Sequence, residues 1–223
     1  MDFHDIKIEF LGHSGFIITT KPGTRIAIDP FQVHSDVQPV DIILITHSHP
    51  DHCSIKDISL ISRNGTIIAA SANSQSKITR VEGVEMQLVE LGDEISLGSI
   101  KVEAVPAYNL NKEFHPKNEK LFGYVIKIGN IIIYHAGDTD NIPEMQRLTG
   151  YGKEGNHFIA LLPVSGKYVM DYSEAAEAAK IINPEIAVPM HYGSGVVGSL
   201  EDAQKFVEMC NSAGVSAKIL EKI

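Results

Sequence analysis

The sequence contains no tryptophan, only two cysteines and no long apolar run. Cys53 and Cys210 are too few for a disulfide framework, which favours a cytoplasmic location. No apolar stretch approaches the roughly 18 residues that a membrane span needs. The N-terminus has no basic stretch followed by an apolar one, so we expect no signal peptide.

Positive charge is also scarce, with 19 lysines and arginines against 28 acidic residues and a net charge of −9. Such a balance argues against nonspecific binding to nucleic acid or to an acidic membrane. We therefore expect a small-molecule substrate and no membrane partner, while assembly into a homo-oligomer stays open. With 223 residues the chain can bury a substantial core, and we predict a single domain spanning 1–223.

Four segments after the first strands have strong local signals. Ser54 and Asp57 form a capping-box pattern that predicts a helix over residues 55–62. Ser173 is the predicted cap of a helix over 173–182, and Ser199 with Asp202 predicts another over 199–211. Residues 217–220 are predicted to close the chain as a strand. Two β-sheets packed face to face, with the helices on the outside, would bury the apolar faces of these strands and helices.

Potential metal ligands are concentrated directly after one buried strand. The apolar run Ile42 to Ile45 predicts the strand, and four ligand-type side chains follow within six positions. They are His47, His49, Asp51 and His52. Pro50 forces the chain out of the sheet, so that the later two can turn back over the strand end. We interpret this cluster as metal-binding.

Further histidines and aspartates follow other predicted strands, namely His13, Asp29, Asp138 and His191. Asp138 lies in an Ala-Gly-Asp-Thr turn, where Gly137 allows a close approach of the backbone. A carboxylate in such a turn is a good candidate to bridge two metals about 3.5–4 Å apart. His191 is the best candidate for a ligand contributed from far along the sequence.

His47-Ser-His49-Pro-Asp51-His52, followed by Gly137-Asp138 and His191, resembles the metallo-β-lactamase superfamily. Four further motifs extend the resemblance to nearly the whole chain: Gly12-His13-Ser, Asp29-Pro-Phe, Tyr134-His-Ala-Gly-Asp-Thr and Pro189-Met-His-Tyr-Gly. They are similar to a compact branch of metal-dependent hydrolases near the ascorbate-6-phosphate lactonases. The resemblance implies an α+β fold, a four-layer αββα sandwich with the metal site at one edge of the two sheets.

The resemblance also implies a ligand set. His47 and His49 would bind the first metal, and Asp51, His52 and His191 the second, with Asp138 as the bridge. Zinc is the expected metal, as two ions, with manganese or iron as alternatives. The family's third histidine for the first metal is missing after the strand that ends at Pro106. His115, in the irregular loop 107–121, is our preferred replacement, and Asn109 is the alternative.

The predicted chemistry is metal-assisted hydrolysis. A hydroxide bridging the two metals would attack a small anionic substrate such as a lactone, phosphodiester or thioester. Asp51 and Asp138 are the predicted catalytic residues, Asp51 because it can also carry a proton. The alternatives are a nuclease or phosphodiesterase acting on nucleic acid, and a di-iron redox protein.

The loops 107–121 and 192–198 are predicted to wall the substrate pocket, to which His13, Asn109 and Ser194 would contribute. A structural role for His13 is equally compatible with its position. Gly193-Ser-Gly-Val-Val-Gly198 has the spacing of a dinucleotide-binding fingerprint. Only one predicted strand follows it, so no nucleotide-binding sheet can be built. We interpret the glycines as allowing this loop to pass close to the metals.

Overall fold

The computed structural model describes residues 1–153 and 155–223. These form two compact units, Met1–Glu90 together with Leu220–Ile223, and Leu91–Ile219. Each unit contains one mixed β-sheet and its own helices, which confirms the predicted α+β class. That the chain is a single domain stays a prediction.

The first unit has a seven-stranded sheet whose strands lie in chain order. The strands are β1 (Asp2–Phe3), β2 (Ile6–Gly12), β3 (Gly15–Thr20), β4 (Arg25–Ile28), β5 (Ile42–Ile45), β6 (Ile67–Ser71) and β7 (Glu85–Val89). Neighbours from β1 to β4 are antiparallel, and those from β4 to β7 are parallel. The carboxyl ends of β4 and β5 therefore lie at one edge of the sheet, where sites commonly form.

Strand β5 is buried along its whole length because apolar side chains lie on both of its faces. Helices α1 (Ile55–Ile61) and α2 (Gln75–Ile78) cover one face, where Ile43 and Ile45 belong to the same core cluster as Ile58. The Ser54 side chain accepts a hydrogen bond from the Asp57 amide, so the predicted start of α1 is confirmed. This cap fixes where the chain leaves the ligand-rich turn.

The second unit has a six-stranded sheet of order β13-β12-β11-β10-β9-β8. The strands are β8 (Glu94–Leu97), β9 (Ile100–Pro106), β10 (Phe122–Ile128), β11 (Ile131–His135), β12 (His157–Pro163) and β13 (Ile186–Met190). Strands β8 to β11 are antiparallel, whereas β11, β12 and β13 are parallel. His135 and Met190 thus end two parallel strands at the same edge, directly before residues predicted to bind metal.

Two helices of the second unit differ in how well their starts were predicted. Helix α4 (Leu200–Ser212) begins at the expected capping box of Ser199 and Asp202. Helix α3 (Tyr172–Ile182) is capped by Asp171. The predicted cap at Ser173 is wrong, because the Asp171 carboxylate accepts hydrogen bonds from the amides of Ser173 and Glu174. A carboxylate two residues upstream satisfies the first turn better than the serine hydroxyl can.

The strand predicted over residues 217–220 is also wrong. Ala217 forms an isolated bridge with Ala187 of β13, and no strand is present there. Two 3-10 helices, Lys117–Glu119 and Pro143–Gly150, were not predicted. Among the described residues, no helix combines the length and the apolarity needed to cross a bilayer.

Candidate metal centre

The ligand-rich turn of the first unit is held by its own backbone. The amides of His52 and Cys53 both donate to the His49 carbonyl, at 3.0 and 2.8 Å. This double hydrogen bond brings the His47 and His52 rings to a centroid distance of 4.2 Å. His47 and His52 are buried, whereas His49 and Asp51 are partly exposed. The turn therefore gathers four candidate metal ligands and leaves two of them, His49 and Asp51, partly accessible to solvent.

Asp29 organises this cluster from the end of β4. Its carboxylate accepts hydrogen bonds from the Thr46 amide at 2.8 Å and the Thr46 hydroxyl at 2.6 Å. Its Oδ2 also lies 2.8 Å from His52 Nδ1. All three side chains are completely buried. A carboxylate that holds one imidazole nitrogen fixes the ring orientation and leaves the other nitrogen as the metal-binding atom.

His13 lies within the same cluster. Its Nε2 is 2.9 Å from Asp51 Oδ2, and its side chain is fully buried. The ligand atoms of His13, Asp51 and His52 all lie within 4.8 Å of one another. His13 therefore contacts a predicted metal ligand directly. The pocket-lining and structural roles considered from the sequence stay predictions.

Among the described residues, the side chains whose potential ligand atoms gather within 4.8 Å of one another do not include Cys53. Burial raises the pKa of its thiol, an effect that the nearby Lys77 ammonium opposes only in part. Its place in the core cluster beneath α1 agrees with the packing role expected for a small buried residue.

In the second unit, Asp138 lies between two histidines. Its Oδ2 is 3.2 Å from His191 Nε2 and 3.4 Å from His115 Nε2, and all three side chains are at most 3 % exposed. These are distances at which several donors can surround one or two cations. Gly123 makes the turn possible, because a Cβ there would lie 2.4 Å from the His135 carbonyl oxygen.

His115 reaches Asp138 because the loop 107–121 closes on itself. The Asn109 amide donates to the His115 carbonyl at 2.8 Å, and its side-chain Nδ2 donates to the carbonyls of Phe114 and Tyr168. His115 Nδ1 lies 3.2 Å from the Tyr168 carbonyl oxygen. Asn109 thus supports the loop through its NH₂ group, while His115 places its imidazole beside the carboxylate.

His191 directly follows β13, and its imidazole is also held through Nδ1. Its Nδ1 lies 2.8 Å from the Ser165 hydroxyl, which belongs to the loop after β12. Gly198 passes beside this pair, since a Cβ there would lie 2.7 Å from the His191 carbonyl oxygen and 2.8 Å from Ser165 Cβ. Gly198 is therefore the position where this loop packs closely, whereas a Cβ at Gly193 or Gly195 would meet no atom within 4 Å. That the glycines let the loop pass close to the metals stays a prediction. Ser194 is half-buried within it.

Backbone strain coincides with these side chains. His13, Asp29, His115 and His191 all have positive φ, between 41° and 64°. This left-handed region is uncommon for residues other than glycine and is found disproportionately at functional sites. These four are half of the eight described non-glycine residues with positive φ, the others being His4, Gln32, Lys120 and Asn183.

Four of the buried histidines share one hydrogen-bonding pattern, which differs from that of His13, whose Nε2 contacts Asp51. Each lies with Nδ1 beside an oxygen of its own unit: His47 beside Thr46, His52 beside Asp29, His115 beside Tyr168 and His191 beside Ser165. Nε2 is then the nitrogen suited to bind a metal in each case. Imidazole nitrogens with carboxylate oxygens are the donor set of zinc and of other divalent transition metals. The residues present therefore fit such ions.

Sequence reasoning grouped Asp29 with the candidate ligands at strand ends but did not foresee its supporting role, and it gave no role to Thr46, Ser165 and Tyr168. Asp29, Thr46 and Ser165 had a usable signal, because they come at or just after the ends of β4, β5 and β12, which are parallel to ligand-bearing strands. Tyr168 had none, since it contributes only a backbone carbonyl to His115.

Comparison with known proteins agrees with this geometry. The model of the β-lactamase superfamily domain matches residues 7–191. A UPF0173 metal-dependent hydrolase of Thermoplasma acidophilum is 36% identical over 197 residues, which cover 85% of this chain and 84% of that protein.

Solved structures show the same fold. A protein of Parabacteroides distasonis described as a metal-dependent hydrolase has a TM-score of 0.80 at 32% identity, covering 97% of this chain and 94% of the other. The metallo hydrolase Igni18 of Ignicoccus hospitalis has a TM-score of 0.78 at 26% identity, covering 97% and 95%. The metallo-β-lactamase fold predicted from the motifs is thereby confirmed, and the chain belongs to the β-lactamase superfamily, within its UPF0173 metal-dependent hydrolases.

Proposed function

We propose that this protein hydrolyses a small anionic ester-type substrate, a lactone, phosphodiester or thioester, with the help of two metal ions, zinc being the expected metal. The observation that carries the proposal is the common orientation of His47, His52, His115 and His191. Each is positioned through Nδ1, as metal-binding histidines are.

The proposed ligands follow the order of the motifs. His47, His49 and His115 would hold the first ion, and Asp51, His52 and His191 the second. Asp138 would bridge the two ions, and its position between His115 and His191 supports this role. Asn109 is better suited to holding the loop, because its Nδ2 is hydrogen-bonded to two carbonyls.

When bound, such ions would lower the pKa of water held between them and polarise the substrate oxygen on which negative charge develops. The chain's own residues would orient the reactants and move protons. Asp51 is partly exposed and hydrogen-bonded to His13, so this pair can receive and pass on a proton at the solvent-facing side. Ser194, in the loop after His191, would contact the substrate.

We also propose a cytoplasmic location. Both cysteines are free thiols that lie buried in the core, an arrangement that suits a reducing compartment.

Metal analysis of purified protein, combined with an activity panel of p-nitrophenyl phosphodiesters, lactones and thioesters, tests the proposal. We expect two ions per chain and hydrolysis of at least one class. Asp138→Ala and His52→Ala should each bind at most one ion and lose hydrolysis, with circular dichroism unchanged. The matched control is Asp36→Ala, because Asp36 is exposed and outside both clusters.

Three outcomes would overturn the proposal: full activity in either ligand variant, no metal even after zinc supplementation, or iron without any hydrolysis. The last would favour the di-iron redox alternative. Cleavage of oligonucleotides but of no small ester would favour the nuclease alternative.

A further inference from the structure

The second unit contains a cavity of about 220 Å³ between one face of its sheet and the 3-10 helix Pro143–Gly150. Its walls are largely apolar, formed by side chains that include Val105, Pro106, Met145 and Leu148. A cavity of about 150 Å³ is enough to hold benzene. This one therefore has room for a molecule with a single ring or a short aliphatic chain.

One of the residues that line this cavity is a buried tyrosine. Tyr134 of β11 lines the cavity, and its side chain is only 1% exposed. Burial raises the pKa of its phenol, so the group is neutral and can both donate and accept. Within the described part of the chain, nothing is hydrogen-bonded to this hydroxyl. A hydroxyl that no protein group engages is available to hydrogen-bond to a ligand.

The exposed end of the cavity has one uncompensated charge. Two glutamates line it, but each is paired: Glu103 with Lys127 at 3.0 Å, and Glu144 with Lys117 at 2.9 Å. Tyrosine hydroxyls donate to the same carboxylates, from Tyr151 to Glu103 and from Tyr108 to Glu144. Arg147 is exposed and has no ion-pair partner among the residues that the structure describes. The rim therefore favours an anion.

We propose that this cavity is a second small-molecule site, which binds a compact monocarboxylate carrying a further hydrogen-bonding group at its far end. The carboxylate would pair with Arg147, the apolar body would pack against Val105 and Leu148, and the far group would meet the Tyr134 hydroxyl. The site uses no residue of the proposed metal centre, so its occupation does not depend on the proposed function.

Three related probes separate these contacts: 4-hydroxybenzoate, the uncharged 4-hydroxybenzamide, and benzoate, which lacks the hydroxyl. Calorimetry and ligand-observed NMR on the metal-loaded protein should show the tightest binding for 4-hydroxybenzoate. Arg147→Gln should weaken its binding by about threefold to tenfold and abolish the preference over the amide. Tyr134→Phe should cost a similar factor and abolish the preference over benzoate.

Two further variants complete the test. Val105→Phe fills the cavity and should eliminate binding of all three probes, whereas Arg80→Gln removes an exposed arginine elsewhere and should change nothing. Arg147 is exposed, so its variant decides the question even where Val105→Phe fails to fold. Absence of binding at 10 mM probe (on the order of the weakest specific affinities) would overturn the proposal. So would equal affinity in wild type, Arg147→Gln and Tyr134→Phe, which would place the anion elsewhere, for example on the metals.

Discussion

The Nδ1 nitrogen of His52 lies 2.8 Å from Oδ2 of Asp29, and both side chains are completely buried. Asp29 also holds the backbone and hydroxyl of Thr46, and the Thr46 hydroxyl in turn lies 3.0 Å from His47 Nδ1. One carboxylate at the end of β4 therefore orients two histidines after β5.

The first prediction concerns this carboxylate. Asp29→Asn should lower metal affinity by about 10–100-fold, because the amide is a weaker acceptor for the His52 imidazole. Competition with a chromophoric chelator measures the change. Asp36→Asn is the control, since Asp36 is exposed. Wild-type affinity in a folded Asp29→Asn protein would show that Asp29 serves packing alone.

The second prediction decides how the first metal shell is completed. His115→Ala should lose one of the two ions on dialysis, because its Nε2 lies beside Asp138. Elemental analysis gives the stoichiometry, and His34→Ala provides the control from an exposed histidine. If the His115 variant retains both ions with unchanged affinity, another residue completes the shell.

The third prediction tests the close approach of Gly123 to the backbone of His135 and Ala136, which leads into the turn that carries Asp138. Gly123→Ala would place a Cβ 2.4 and 2.5 Å from the carbonyl oxygens of His135 and Ala136. Since these are backbone atoms, the turn must shift, and we expect a loss of about 1–3 kcal/mol in the free energy of unfolding together with reduced metal content.

Gly150→Ala is the matched control in the same unit, because a Cβ there meets no atom within 4 Å. Urea denaturation compares the two variants. Equal stability of Gly123→Ala and Gly150→Ala would contradict the packing described for the turn.

The fourth prediction concerns the thiols. Burial raises the pKa of Cys210 to about 12, and burial also raises the pKa of Cys53. A raised pKa means less thiolate at a given pH, so at about pH 8 only roughly one Cys210 thiol in ten thousand is ionised. Neither cysteine should react with a chromogenic disulfide in the native protein, and both should react in denaturant. Rapid labelling of native protein would show that the thiols are accessible.

Local sequence signals predicted the structure correctly where the interacting residues are close together in the chain. Ser54 and Asp57 are three residues apart, and their capping interaction is present as predicted. The buried strand Ile42–Ile45 follows equally directly from its unbroken apolar run. At α3 the same reasoning placed the cap two residues late, because aspartate and serine are both common caps and only the structure shows that Asp171 accepts hydrogen bonds from the first-turn amides.

Contacts between distant segments could not be predicted in the same way. Residues 217–220 have a strand-like composition, yet a strand requires a continuous partner, and Ala217 has only a single bridge. Asp29 and His52 are 23 positions apart, so their hydrogen bond depends on the parallel pairing of β4 with β5. The sequence around Gly123 did not indicate that a glycine is needed there. The need arises from the backbone of His135 and Ala136, which lies beside Gly123 only in the folded sheet.

The residue pattern alone indicates the kind of chemistry, since eight side chains able to bind metal follow predicted strands. Only the tertiary structure decided how individual rings are used, because an imidazole becomes a defined ligand only when a partner holds its other nitrogen. For His115 that partner is the carbonyl of Tyr168, which lies 53 positions away and contributes no side chain. Tyr134 is a second example of a feature that the sequence does not reveal. The cavity that it lines forms only when β11 and the 3-10 helix Pro143–Gly150 have packed.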